Sequence, residues 1–413
     1  MNMKLKSLLL FFSMSYAAEM MAQQPEDPTP KRKNDHGAYT IEQAISDNAQ
    51  LYTISFNSLA FITGNYGADC FFPPGKVADF FGFQYMRDND SNKMGHNTDF
   101  LTKIATNVIS ILHEDQLNKM IALAKEQEEI YTEFAKKRLV LIKAFRLSLE
   151  GNIPKNSKGL NKDAVINYCS ELYALDATLS YRRAEVIGGI VSSLTPEQIQ
   201  AMDKLNFGNS NSWPMLPETL HKESMSHRAN VGVMTYASEL FSWYKGSLKA
   251  DIYFCPERHG TYFGGFYLKD YPAMGNHGYS ISTTLTGDAG KAFLEILNLE
   301  QREMVKNLIP LQKNNLLEIV KIRTSVSTLL RKFLSGGKAD RSEVIELVKK
   351  YGKQDGEMSW NMVDVLTRIN QQLTLAQREK LKKLRNLEIL PEGAYIFSDP
   401  ISLPEDIDCK GLF

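Results

Sequence analysis

The chain has 413 residues, of which 43% are hydrophobic. A chain of this length can bury a sizeable core and is expected to form about two or three domains. Its 48 basic and 48 acidic residues give a formal net charge of zero, and no basic stripe stands out. The charge balance therefore argues against nucleic acid as a partner.

The N-terminus has the composition of a secretory signal peptide. Lys4 and Lys6 precede a short apolar run from Leu8 to Ala18, and Ala22 is a small residue suited to cleavage. The run is too short to span a bilayer, and no later segment is apolar enough to do so. We therefore expect residues 1–22 to be removed and the mature protein to be periplasmic or secreted.

Two halves of the chain repeat one another. Residues 68–88 and 250–270 align without a gap and share eight identical residues in 21 positions. The same register continues where residues 133–151 face 318–336. These matches predict an internal duplication. We divide the chain into a polar leader, a first helical unit, a linker, a second helical unit and a Pro-rich tail, at residues 23–40, 41–208, 209–227, 228–388 and 389–413.

The apolar residues of both halves recur at helical spacing. Ile109, Leu112, Leu117, Met120 and Ile121, for example, form one stripe among Lys, Glu and Gln. We therefore predict an all-α fold of two homologous units of long antiparallel amphipathic helices that pack as an internal pseudo-dimer. Irregular aromatic Gly/Pro loops and an extended C-terminal tail complete the prediction.

One short motif occurs four times. In its strictest copy, Thr195 is a good N-cap, Pro196 suits the first helical position, and Gln198 closes a capping box. The other copies also place a glutamine three residues after a cap: Asn298 with Gln301, Thr374 with Gln377, and the poorer cap His113 with Gln116. The motif therefore predicts four helix starts.

A Leu-Thr-x-x-Gln motif that opens an amphipathic helix, twice per unit, resembles the Spy/CpxP family of periplasmic LTxxQ proteins. The resemblance covers the helical parts of both halves and is strictest at residues 194–198 and 373–377. It implies small all-α proteins that dimerise into a curved cradle and either hold unfolding clients or restrain an envelope-stress sensor. The chain departs from the family in its duplication, its aromatic Gly/Pro segments and its long tail.

Arginines and aromatic residues are the candidates for binding. The basic set, at the polar edge of the helix faces, is Arg138, Arg146, Arg323 and Arg331. The aromatic set, in the Gly/Pro segments, is Phe81, Tyr85, Phe263 and Tyr267. The competing interpretations are a solvated helix face for the arginines, and core packing or contact between the halves for the aromatic rings.

A metal site is the alternative chemistry. His96 and His277 lie just after Met-Gly pairs at similar places in the two halves, and Cys255 with His259 is a soft donor pair. The competing interpretation assigns the histidines to loop hydrogen bonds and Cys255 to the core or to a disulfide. Four cysteines in an oxidising compartment allow two disulfides, with the pairing left open among Cys70, Cys169, Cys255 and Cys409.

Catalytic signatures are absent from the sequence, which contains no GxSxG, HExxH or Walker loop. We expect a non-enzymatic protein without a cofactor: an exported binding protein, chaperone-like or a stress adaptor, with non-native or envelope proteins as partners. The alternatives are a metal-binding or metal-sensing envelope protein, and a structural subunit of a cell-envelope assembly.

Overall fold

Helices make up most of the chain that the computed structural model describes, which comprises residues 47–64, 71–72, 99–205, 213–217, 220, 222–245, 284–384, 394–396, 399–402 and 406–413. Within these ranges the helices are α1 Asp47–Thr63, α2 Asp99–Ile111, α3 Glu114–Glu150, α4 Lys162–Ser192, α5 Pro196–Lys204, α6 His227–Lys245, α7 Thr284–Ile296, α8 Leu299–Lys306, α9 Leu308–Leu330, α10 Arg341–Gln372 and α11 Leu375–Lys382. Short 3₁₀ segments occur at Lys222–Ser224, Arg331–Ser335 and Lys410–Leu412. The expected helical class is confirmed for most of these residues.

The longest helices begin and end with the same chemistry in both halves. Asn161 caps α4 and Asp340 caps α10, and in each case the side chain accepts a hydrogen bond from the backbone amide three residues later. Gly151 ends α3 and Gly336 ends the segment after α9, both in the left-handed conformation. No helix in the described ranges combines the length and hydropathy of a membrane-spanning segment.

The central contact of the fold joins α4 to α10, which the predicted duplication would place at equivalent positions. They approach closely at Gly352, where an added Cβ would lie 2.7 Å from Tyr173 Cβ and 2.8 Å from the Cys169 carbonyl oxygen. A side chain at position 352 would force the helices apart, so glycine is required by this packing. Cys169 and Cys409 are both buried free thiols, so neither forms one of the disulfides that we considered.

The first helix of each half packs on the other half. Helix α1 contacts α7, α8, α9, α10 and α11, whereas α6 contacts α2, α3 and α4. Polar contacts accompany this packing of α1 and α6: Gln312 of α9 donates to Gln50 of α1 at 3.3 Å, and Tyr236 of α6 donates to Gln127 of α3 at 2.6 Å. Helices α1 and α6 thus join the two halves.

Three short strands depart from the expected all-α class. They are β1 Phe71–Phe72, β2 Ala394–Ile396 and β3 Asp399–Ile401. Strand β2 lies between β1, to which it is parallel, and β3, to which it is antiparallel. Pro400 is tolerated because β3 is at the edge, where a missing backbone N–H costs no ladder bond.

The end of the tail packs against the first half. The backbone amide of Asn161 donates to the Leu412 carbonyl at 2.9 Å, and Lys143 lies 3.6 Å from the Asp406 carboxylate. Ile407, Cys409 and Leu412 are buried there. The tail that we expected to be extended contains two strands and a docked C-terminal turn.

Candidate functional site

The four glutamines of the repeated motif meet in two pairs. We call α5 with the start of α3 the first box pair, and α8 with α11 the second box pair. In the first, Gln198 Nε2 donates to Gln116 Oε1 at 2.7 Å, and Gln116 Nε2 returns a bond to Gln198 Oε1 at 3.2 Å. Gln198 also donates to the Ile111 carbonyl, and Gln116 to Ser193. Each glutamine therefore caps its own helix and holds the other.

The second box pair repeats this geometry. Gln377 Nε2 donates to Gln301 Oε1 at 2.7 Å and to the Ile296 carbonyl at 3.0 Å. Gln301 Nε2 donates to the Gln372 carbonyl at 3.4 Å. The amide group suits this position because it has both acceptor and donor atoms. A glutamate would preserve the capping box but lose the donors that reach the partner helix.

Helices begin at all four predicted starts, and at three of them the side chain of the N-cap residue accepts a hydrogen bond. Thr195, Asn298 and Thr374 each accept a hydrogen bond from the backbone amide of the glutamine three residues later, at 3.3, 2.9 and 3.2 Å. Each glutamine side chain in turn accepts a hydrogen bond from the backbone amide of its N-cap residue. The backbone amide of His113 donates to Gln116 Oε1 in the same way, at 2.9 Å.

Replacing Gln198 with glutamate should lower the free energy of unfolding by about 1–3 kcal/mol, because two buried donor bonds are lost while the capping box remains. Urea denaturation followed by circular dichroism measures the change. Gln200→Glu is the matched control, since Gln200 is exposed on the same helix. Equal denaturation midpoints for the two variants would show that the glutamine pairing adds no stability beyond that of the capping box.

The residue that follows each cap distinguishes the two box pairs. In the first pair these residues are Glu114 and Pro196, whereas in the second they are Leu299 and Leu375. Leu299 is 78% exposed and Leu375 is 83% exposed. These are the highest exposed fractions among the large hydrophobic residues that the structure describes. Sequence patterns did not single out these leucines, although their position on the outer side of a first helical turn is a usable signal.

The residue immediately after each glutamine is apolar in the first box pair and an arginine in the second. Arg302 donates from Nε to the Leu297 carbonyl at 2.9 Å and from Nη2 to the Glu295 carbonyl at 3.2 Å. Arg378 donates to the side-chain and backbone oxygens of Asn370. Both guanidinium groups thus satisfy carbonyls near the end of the preceding helix.

The two box pairs also differ in charge. Glu114, Asp115 and Glu197 are exposed on the first. Hydrogen bonds from its own backbone amide and from Thr195 lower the pKa of Glu197, so this carboxyl is charged at neutral pH. Lys119 and Lys204 are exposed there as well. On the second, Lys380 and Lys382 are exposed on α11 beside Glu379, whereas α8 exposes both Glu300 and Lys306. Acidic residues therefore outnumber basic ones on the first box pair, and basic residues outnumber acidic ones on α11.

The basic binding candidates are not surface residues, which corrects that prediction. Arg138, Arg146 and Arg323 are buried, and Arg331 is half-buried. Arg146 donates to the Phe61 and Gly64 carbonyls at the end of α1, and Arg331 donates to the Trp243 carbonyl in the last turns of α6 at 3.2 Å. Arg146 and Arg331 therefore stabilise the packing of α1 and α6, because each guanidinium group satisfies carbonyls at the end of one of these helices.

Several sequence candidates lie outside the residues that the structure describes. These are the aromatic candidates Phe81, Tyr85, Phe263 and Tyr267, and the metal candidates His96, Cys255, His259 and His277. Within the described ranges, no group of three or more His, Cys, Asp or Glu side chains is arranged to hold a metal ion.

A cavity of about 360 Å³ lies where the C-terminal turn rests on α3 and α4. Val140, Ala164, Tyr168, Cys409 and Leu412 line it. Burial raises the pKa of the Cys409 thiol, which is therefore not an activated nucleophile. The arrangement is that of a packing gap beneath the tail rather than of a reactive site.

Comparison of the chain with family models, with curated proteins and with solved structures found no match in any of the three.

Proposed function

We propose that the chain is an exported, non-enzymatic binding protein of the Spy/CpxP type that holds non-native or envelope proteins. We further propose that its two halves are homologous units packed as an internal pseudo-dimer. The binding surface is the exposed part of the second box pair, centred on Leu299 and Leu375. The observation that carries the function is the exposure of both leucines on helices that a pair of hydrogen-bonded glutamines joins.

The pseudo-dimer is supported by contacts that recur in both halves. The glutamine pairs form alike, and equivalent helices α4 and α10 meet at the centre. Helices α1 and α6 are exchanged reciprocally, and Arg146 and Arg331 bind the carbonyls of equivalent helix ends. Such agreement among distant contacts is expected when a symmetric dimer is fused into one chain.

The surface has the composition that holding another protein requires. Exposed aliphatic side chains bind apolar segments, and polar neighbours keep the surface soluble. Leu299 and Leu375 supply the apolar part, whereas Lys380 and Lys382 lie along α11. The paired glutamines and the arginine contacts keep the two helices in one arrangement, so the surface is formed before a partner arrives.

The mature protein should slow the aggregation of an unfolding model protein without ATP and at near-stoichiometric ratios. The double variant Leu299→Ser/Leu375→Ser should lose most of this protection, because the apolar surface is removed. Light scattering of several unrelated clients measures the effect. Met215→Ser is the matched control, since Met215 is 77% exposed and lies outside both box pairs.

Failure of the mature protein to protect any client would remove the chaperone-like function. Equal losses for the leucine variant and for Met215→Ser would show that protection does not come from the second box pair. Circular dichroism of each variant, with the same helical signal as the parent, establishes that lost protection reflects the surface and not the fold.

A further inference from the structure

The two box pairs share one backbone arrangement but differ in the balance of their exposed apolar and charged residues. The second offers two highly exposed leucines, and basic residues outnumber acidic ones on its α11. The first has exposed acidic side chains on α3 and α5, and Ile199 of α5 is 40% exposed. Two surfaces that match in backbone and differ in charge are suited to each other, since opposite charges steer the approach and the apolar centres are then buried.

We propose that the second box pair docks on the first box pair of a second copy of this chain. Leu299 and Leu375 then pack near Ile199 of that copy, and the basic residues of α11 face Glu114 and Glu197. This inference rests on the proposed function, because it names a partner for the same leucine surface. A client and a second copy therefore compete for one site.

Such a contact is head-to-tail, since two different surfaces of the chain meet. After two copies have docked, each end of the assembly still carries one unused box pair. Association therefore continues to a ring or an open chain rather than stopping at a symmetric dimer. Because exposed charges contribute to the contact, high salt should weaken it.

Sedimentation velocity of the mature protein tests the proposal, over a wide range of concentration and at low and high salt. We expect association beyond a dimer that weakens with salt. Two variants each remove one side of the contact: Leu299→Ser/Leu375→Ser on the second box pair, and Glu114→Lys/Glu197→Lys on the first. Each variant alone should associate at least tenfold more weakly than the parent.

An equal mixture of the two variants gives the sharpest result. The leucine variant keeps an intact first box pair, and the charge-reversed variant keeps an intact second box pair, so the mixture should form a one-to-one dimer and nothing larger. A parent protein that stays monomeric at every concentration overturns the proposal. So does a charge-reversed variant that associates like the parent, which would indicate contact between identical leucine surfaces.

The same variants separate this proposal from the proposed function. Glu114→Lys/Glu197→Lys should be monomeric yet still protect clients, because its leucine surface is intact. Protection without any self-association would overturn the head-to-tail contact and leave the binding function standing. Self-association in the expected pattern without client protection would overturn the binding function and leave the head-to-tail contact standing.

Discussion

Replacing Glu239 with alanine should lower the free energy of unfolding by about 3–5 kcal/mol, because it leaves the buried charge of Arg183 without its partner. Arg183 is 0% exposed, and its Nη1 lies 3.0 Å from both carboxylate oxygens of Glu239. Although burial opposes the charged form, the Glu239 carboxylate raises the pKa of Arg183, so the guanidinium group is charged. The guanidinium also lies over the Tyr236 ring, 5.0 Å from its centroid.

Urea denaturation of Glu239→Ala and of the double variant Arg183→Met/Glu239→Leu separates pairing from packing. Replacing both partners with apolar side chains removes the stranded charge, so the double variant should be much closer to the parent in stability. A double variant as unstable as Glu239→Ala would contradict this explanation. The pair joins α4 to α6, so its loss should weaken the attachment of an exchanged helix.

Replacing Asp355 with asparagine should stabilise the protein above neutral pH by on the order of 2–4 kcal/mol. Burial raises the pKa of Asp355 from 3.8 to about 7, and a hydrogen bond from Tyr173 only partly offsets this effect. The folded state therefore holds this proton more tightly than the unfolded state. The free energy of unfolding should fall as pH rises from about 4 to about 7, where the carboxyl ionises in the core.

Unfolding measured at several pH values tests this expectation. Asp355→Asn should remove most of the decline between pH 4 and pH 7 and should differ little from the parent at the acidic end. Asp364→Asn is the control, since Asp364 is exposed on the same helix and is paired with Arg368. Parallel pH profiles for the parent and Asp355→Asn would show that Asp355 is not the group responsible.

The helix starts were predictable because a capping box is local. Thr195 and Gln198 are three residues apart, and hydrogen bonds between them follow from the backbone of a first helical turn. The meeting of Gln198 with Gln116 was not predictable in the same way, because 82 residues separate them and only the packing of α3 against α4 brings them together.

The burial of the arginines was missed because charged residues on an amphipathic helix are usually solvated. A signal was nevertheless present: Arg138 and Arg146 share a helical stripe with Ile142, Phe145 and Leu149, all of which are buried. The carbonyls that Arg146 binds lie at the end of α1, and the sequence pattern does not predict that this end lies beside Arg146. Exchange of α1 and α6 depends on tertiary contacts that periodicity does not encode.

Site-specific photo-crosslinking tests the central claim most directly. A photo-reactive residue is placed at position 375, on the second box pair, or at position 196, the equivalent position on the first. The mature protein is then irradiated with an unfolding client, at a concentration where it does not self-associate. The proposed function predicts client adducts at position 375 at least several-fold above those at position 196. Equal labelling, or stronger labelling at position 196, would contradict it.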